Sequence, residues 1–234
     1  MAAQNIHRSL LRDLAIFRSM ADDELDAVLA TASVRRLPEG TPAFRQGAVA
    51  AEFFALLHGR LKVMQTTQDG QQIVVRHVNP GEICGIAKAI GRTDYPATAS
   101  AIVDSLILVW PMSQWEAFIA CSPALAANAL GMIGQRLQDA HTRIREFSTE
   151  EVERRVAHAL LRLAKQGGRK TEDGVLIDFP VTRQDIAEMT GTTLHTVSRV
   201  MSAWEARGLV ASGRKRVTVR DPHRLFILAE RLPE

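Results

Sequence analysis

The chain has 234 residues, 46% hydrophobic and 24% charged. Those proportions suit a globular protein of one large or two modest domains and exclude a disordered chain. Formal net charge is only +3, but it is unevenly placed. Residues 1–147 carry 14 Lys and Arg against 14 Asp and Glu, whereas residues 148–234 carry 15 against 12. No run of 18 apolar residues exists, so no transmembrane helix and no membrane association is expected. Arg8, Arg12 and Asp13 interrupt the N-terminal apolar stretches, which argues against a signal peptide. Two cysteines, Cys84 and Cys121, make neither a disulfide framework nor a four-ligand metal cluster. The default expectation is a bacterial-type cytoplasmic protein.

Residues 7–32 read as short helical pieces, with Ala21-Asp22-Asp23-Glu24-Leu25 placing acids at a helix start. From Val34 short apolar runs (Phe53–Leu57, Leu61–Met64, Ile73–Val75, Ala101–Trp110) alternate with turn signals. These are Pro38-Glu39-Gly40, Gln46-Gly47, His58-Gly59, Asp69-Gly70, Asn79-Pro80-Gly81 and Gly91. Turns roughly every 10 residues predict an all-β roll or barrel. Asp69-Gly70 is the best hairpin signal among them. The pattern becomes helical from Met112. Between Pro123 and Phe147 the residues Ala126, Leu130, Ile133, Leu137, Ala140, Ile144 and Phe147 repeat at 4,3,4,3,4,3, the coiled-coil period. A helix packed on its own domain would show a similar stripe. The three-heptad seam, directly after a β module, favours a dimer helix with Leu130, Ile133, Leu137, Ala140 and Ile144 at the interface. Ser148 with Glu151 reads as a capping box that opens a new helix. The expected division is therefore residues 1–111, 112–147 and 148–234. A Gly-rich turn (Gly167–Gly174) and a strand (Val175–Phe179) follow.

Residues 181–220 are the most informative. Thr182 with Asp185 forms a capping box. The helix Arg183–Met189 turns Ile186, Ala187 and Met189 inward, and Gly191 makes a tight turn. Thr192 or Thr193 caps a second helix, which runs to about Arg207. Leu194, Val197, Val200, Met201 and Trp204 form its apolar stripe, and Thr193, His195, Thr196, Ser198 and Arg199 occupy the other face. Gly208 ends it. Leu209-Val210 and Val217-Thr218-Val219 read as two strands joined by the basic tip Arg214-Lys215-Arg216. This is the pattern of a winged helix-turn-helix, whose second helix inserts into the DNA major groove. Arg199 suits a bidentate bond to guanine, and Thr196 or Ser198 suits bases or phosphates. Thr182, Arg183, Thr192 and the tip suit phosphates. A small helical packing module with solvated charges is the plainer alternative. The segment 199–220 holds six Lys and Arg against Glu205, a local charge of +5. No metal-spaced cluster, Gly-x-Ser-x-Gly motif or phosphate loop is present, so an enzyme is not expected.

The chain resembles the Crp–Fnr superfamily of bacterial transcription regulators. The resemblance rests on Phe44-Arg45-Gln46-Gly47, Glu52-Phe53-Phe54, Gly59-Arg60-Leu61-Lys62-Val63, Pro80-Gly81-Glu82 and the segment Thr182–Gly208 with Thr-Val-Ser-Arg at 196–199. It implies an α+β protein: an N-terminal cyclic-nucleotide-binding-like β-roll, a long dimerisation helix and a C-terminal winged helix-turn-helix. It also implies a homodimer, a two-fold symmetric double-stranded operator and RNA polymerase as partners. Family members that bind cyclic AMP carry a Glu and an Arg where this chain has Ile86 and Tyr95, so cyclic AMP is not expected. No cysteine precedes Cys84, so the N-terminal iron–sulfur cluster of the oxygen sensors is not expected either.

Tyr95-Pro96-Ala97-Thr98-Ala99 resembles the denitrification regulators that respond to nitric oxide. His195 in place of the usual Glu of the reading helix points to the same subgroup. That resemblance implies activation of denitrification genes and haem b as the nitric-oxide receptor. The candidate haem ligands are His7 and His58, with His77, His141 and Tyr95 as further possibilities; His158 and His223 read as structural. The alternative reading is a family member with another signal, or none, in a low-oxygen or nitrogen-fixation circuit.

Overall fold

The computed structural model describes residues 8–12 and 14–231. They form two compact units, one of residues 1–70 and 75–139, the other of residues 140–234 with the segment 71–74. The first opens with α1 (Arg8–Arg12), a 3-10 turn (Ala15–Phe17) and α2 (Asp22–Ala30). Three acids in the first half of α2, Asp22, Glu24 and Asp26, do two jobs. Glu24 accepts from the Ala21 backbone N–H at 2.8 Å. Asp22 and Asp26 pair with Arg8 at 3.0 and 2.5 Å.

The predicted roll is present. Its strands are β1 (Ser33–Leu37), β2 (Pro42–Phe44), β3 (Glu52–His58), β4 (Leu61–Thr66), β5 (Gln72–Val78), β6 (Ile83–Cys84), β7 (Thr98–Ala101) and β8 (Ser105–Pro111). They make two antiparallel sheets, ordered β1-β8-β3-β6 and β2-β7-β4-β5. The near-continuous apolar text of β3 and β8 reflects their place inside the first sheet, where both faces are covered. Trp110 is fully buried between the rings of Phe17 and Phe53, at 5.7 and 5.3 Å, and its indole N–H donates to the Val28 carbonyl at 2.8 Å. The turn at Gly59 requires glycine: φ is +90°, and a Cβ would come within 2.3 Å of Ser105 Oγ.

The helical region from Met112 is two helices rather than one. α3 (Gln114–Cys121) buries Trp115 and Phe118 edge-on against Phe53. It ends because Ser122, before a proline, is forced into an extended conformation (φ −135°, ψ 104°). α4 then runs Pro123–Thr149, with Pro123 at a position whose N–H would have no helical partner. The boundary expected at Ser148 also shifts. Ser148 is still helical and its hydroxyl donates back to the Ile144 carbonyl at 2.8 Å. The next helix, α5 (Val152–Gly167), has Glu151 at its N-cap with no side-chain cap. The Ser148–Glu151 capping box therefore does not form.

In the second unit, β9 (Gly168–Thr171) and β10 (Gly174–Ile177) form a hairpin where only a turn and one strand were expected. After α6 (Arg183–Thr190) and α7 (Leu194–Ala206) come β11 (Val210–Gly213), β12 (Arg216–Val219) and α8 (Pro222–Glu230). The sheet order is β11-β12-β10-β9. No single helix among the described residues is long and apolar enough to cross a membrane.

Truncating Trp110 removes a fully buried indole and the shorter of two hydrogen bonds to the Val28 carbonyl. Trp110→Ala should lower unfolding free energy by about 3–5 kcal/mol in a denaturant titration.

Candidate nucleic-acid interface

The geometry of α6 and α7 follows from local capping chemistry. The Thr182 hydroxyl accepts from the Asp185 N–H at 3.0 Å, and the Asp185 carboxylate accepts from the Thr182 N–H at 2.8 Å. The predicted capping box is therefore complete. α6 ends at Gly191, in the left-handed region (φ 59°, ψ 44°), where the chain must turn before α7. A Cβ there would also meet the Phe147 ring at 3.0 Å. Thr193, not Thr192, is the N-cap of α7, accepting from the Thr196 N–H at 3.2 Å.

Burial holds the pair. Ile186, Ala187 and Met189 of α6 are buried, as are Val197, Met201 and Trp204 of α7. The Trp204 indole donates to Glu153 of α5 at 2.9 Å. Arg155 of α5 donates to the Thr190 carbonyl at 3.1 Å, placing a cation at the negative end of α6. The stripe is narrower than expected. Val200 is half-buried, and Leu194 is 48% exposed.

The opposite face carries Thr193, His195 and Arg199 exposed, with Thr196 and Ser198 half-buried beside them. Arg214, Lys215 and Arg216 are exposed at the β11–β12 tip. The tip is tied to the start of the motif, because the Val181 N–H donates to the Lys215 carbonyl at 3.2 Å. Arg199, Arg207 and Arg220 are exposed as well, so the basic side chains of the +5 segment lie at the surface.

Two expected phosphate contacts are already engaged. The Thr182 hydroxyl also donates to Asp185 at 2.6 Å, so it serves the cap. Arg183 donates to Glu205 at 3.3 Å and to Ser212 at 3.0 Å, bracing α6 against α7 and the wing. Thr192 sits half-buried in the turn.

The seam on α4 divides. Leu130 (72%), Leu137 (53%) and Ile144 (61%) are exposed apolar residues, Ala140 is exposed and Ile133 half-buried. Leu125 and Ala129 instead join the roll core. Phe147 leaves the seam: its ring lies against Gly191 and under the Arg155 guanidinium at 5.5 Å.

In the roll, Ile86 is buried. Tyr95 stacks on Phe44 at 4.3 Å, and its hydroxyl donates to the Glu52 carbonyl at 2.7 Å. Burial raises the Tyr95 pKa, so the phenol stays neutral and engaged and does not suit a metal-ligating oxygen. Arg136 of α4 donates to the Ile83 carbonyl at 2.6 Å, and Arg76 reaches the same carbonyl at 3.3 Å while pairing with Glu82 at 2.8 Å. Burial, reinforced by repulsion from Arg76, pulls the Arg136 pKa down to about 10. His58 is exposed at the end of β3, and His141 is exposed on α4. His7 lies outside the described residues. A cavity of about 460 Å³ beside α3 is lined by Lys88, Gly91, Arg92, Thr93, Trp115, Glu116, Ile119 and Ala120, with no histidine. His58, on an exposed rim, does not fit an axial haem ligand, which needs an enclosed apolar pocket.

Comparison with known proteins agrees with this geometry. Residues 34–121 match the cyclic nucleotide-binding domain family and residues 154–226 the Crp-like helix-turn-helix domain family. The chain is 31% identical to a cyclic AMP receptor protein of Thermus thermophilus, over 88% of this chain and 92% of that one. The chain belongs to the Crp–Fnr family. It is accordingly a DNA-binding transcription regulator, and its relatives are regulators rather than enzymes. It is also 24% identical to the transcriptional activator FnrA of Stutzerimonas stutzeri, over 83% of this chain and 80% of that one. In fold it is similar to FixK2 of Bradyrhizobium japonicum, with a TM-score of 0.74 at 21% identity, covering 84% of this chain and 96% of that one.

Sequence reasoning missed the role of Arg183, whose acidic partner Glu205 lies 22 positions away, and the exposure of Leu194. The second was legible from position, since the first turn of a helix projects beyond the packed stripe.

The two cysteines should differ in reactivity. Burial pushes the Cys84 thiol up to about 11, so it stays protonated, while Cys121 is exposed. Thiol labelling at pH 8 should modify one cysteine in the native chain and two after denaturation.

Proposed function

We propose that this Crp–Fnr regulator acts in the cytoplasm as a homodimer on a two-fold symmetric operator, with α7 of each protomer in the major groove. The observation that carries this is the exposed face Thr193, His195, Ser198 and Arg199 beside the basic tip, opposite a stripe buried on α5 and α6. Arg199 reads guanine O6 and N7, His195 reads the neighbouring pair, and the tip holds phosphates. A neutral His195 can accept or donate, so it selects a different base from the acceptor-only Glu of related regulators. RNA polymerase is the downstream partner.

For the signal, Tyr95–Ala99 and His195 support nitric oxide and denitrification genes. Ile86 and Tyr95, apolar or internally bonded, argue against a cyclic-nucleotide phosphate at those positions. A haem receptor finds no support in the exposed His58; the remaining histidine candidates are His7, His77 and His141. The second reading is a family member with another signal or none.

Two measurements test this. Arg199→Ala should weaken binding to a selected operator by about 1–3 kcal/mol and relax base preference at one position per half-site. Unchanged binding would contradict the groove placement. Anaerobic reconstitution with haem should give a Soret band that shifts with nitric oxide and is lost in His7→Ala. No band would remove the haem-borne signal and leave the second reading.

A further inference from the structure

The loop after β6 and the helix α3 border a cleft of about 460 Å³. Both walls follow from local sequence. On α3, Trp115 and Ile119 are four residues apart and share one face, with Glu116 and Ala120 on the adjacent row. Trp115 is fixed by the core: its indole meets Phe53 edge-on at 5.4 Å, and the residue is 6% exposed. Opposite, a 3-10 turn (Ala87–Ile90) ends at Gly91 in the left-handed region (φ 69°, ψ 24°). The Arg92 N–H donates to the Ala87 carbonyl at 3.1 Å, which closes the turn and sets Lys88 and Arg92 near its two ends. Lys88, Arg92 and Thr93 are exposed along this rim. The cleft is therefore apolar at its floor and basic at its rim. Ile86 and Tyr95, which stand where cyclic AMP-binding relatives carry their Glu and Arg, are buried in the roll core and do not line it.

The rim cations are held only by exposed carboxylates. Lys88 reaches across the cleft to Glu116 at 3.0 Å, and the two side chains are 38% and 77% exposed. Arg92 pairs with Asp94, which lies outside the lining, at 2.8 Å. Exposed pairs of this kind contribute little to stability, so an incoming anion displaces such a carboxylate at small cost. The lining itself holds two positive charges against one negative, and one net positive charge suits a monoanion. Its volume falls in the range of small-molecule sites, about 300–1,000 Å³. We infer that this cleft binds a small hydrophobic carboxylate, an aryl or short-chain acid, whose apolar body lies on Trp115 and Ile119 and whose anionic group takes Lys88 from Glu116 beside Arg92. Such a ligand ties the loop after β6 to α3, and its binding does not depend on how α7 reads DNA.

Equilibrium dialysis of the full-length chain against sodium 2-naphthoate tests this. One molecule should bind per chain with a Kd of about 100 μM. The neutral 2-naphthamide should bind about ten-fold more weakly, the effect of one charge-assisted contact. The double variant Lys88→Gln, Arg92→Gln should bind the acid no better than the amide. Ala120→Trp, at an exposed position, fills the cleft and should abolish binding. Glu116→Gln releases Lys88 and should tighten binding about three-fold, a gain that partial unfolding cannot produce. No retention of naphthoate at about 2 mM, equal affinity for acid and amide, or unchanged binding in Ala120→Trp overturns the assignment.

Discussion

The structure depends on α4, which is buried along one side only. One side carries Leu125 and Ala129 into the roll core, and Arg136 reaches the Ile83 carbonyl from the same helix. The other side leaves Leu130, Leu137 and Ile144 in water at seven-residue intervals. Gly131 and Gly134 make α4 a poor helix by propensity, each costing about 0.5–1 kcal/mol relative to alanine. Packing, rather than intrinsic preference, must therefore hold it straight. The roll supplies part of that packing. Each exposed leucine or isoleucine would contribute about 1.5–3 kcal/mol if a second α4 covered the open seam. The same helix would then hold both the sensor roll and a partner copy.

At the other end, the reading helix is held by a different kind of interaction. The caps at Thr182 and Thr193 fix where α6 and α7 begin, and Gly191 fixes the turn between them. Arg155, Arg183 and the Trp204 indole each spend their polar groups inside the unit. Little of the charge on the packed side is left over. Arg199 and the 214–216 tip are exposed, where phosphates and bases could reach them. The modest global charge is thus a neutral sensor half averaged with a displayed basic strip.

Much of this was legible because backbone chemistry is local. Turn glycines marked the roll, and cap residues marked α6 and α7 almost to the residue. The failures have local causes as well. Ser148 looked like a cap, but α4 continued through it and its hydroxyl bonded back to Ile144. The strand β9 was hidden because its residues Gly168–Thr171 are polar, and burial patterns carry no information for an exposed edge strand. Asp173-Gly174 was the signal that could have revealed the hairpin. Pairings such as Arg183 with Glu205 depend on tertiary approach and leave no sequence period. The signal is the least legible element, because it would depend on a few side chains rather than on a repeating pattern.

Two copies of the chain are expected to meet on the open seam of α4, which sedimentation equilibrium of the wild type and of Leu137→Asp would reveal. The wild type should be a dimer at micromolar concentration and Leu137→Asp a monomer whose roll melts at an unchanged temperature. A monomeric wild type, or a Leu137→Asp chain that stays dimeric, would contradict it.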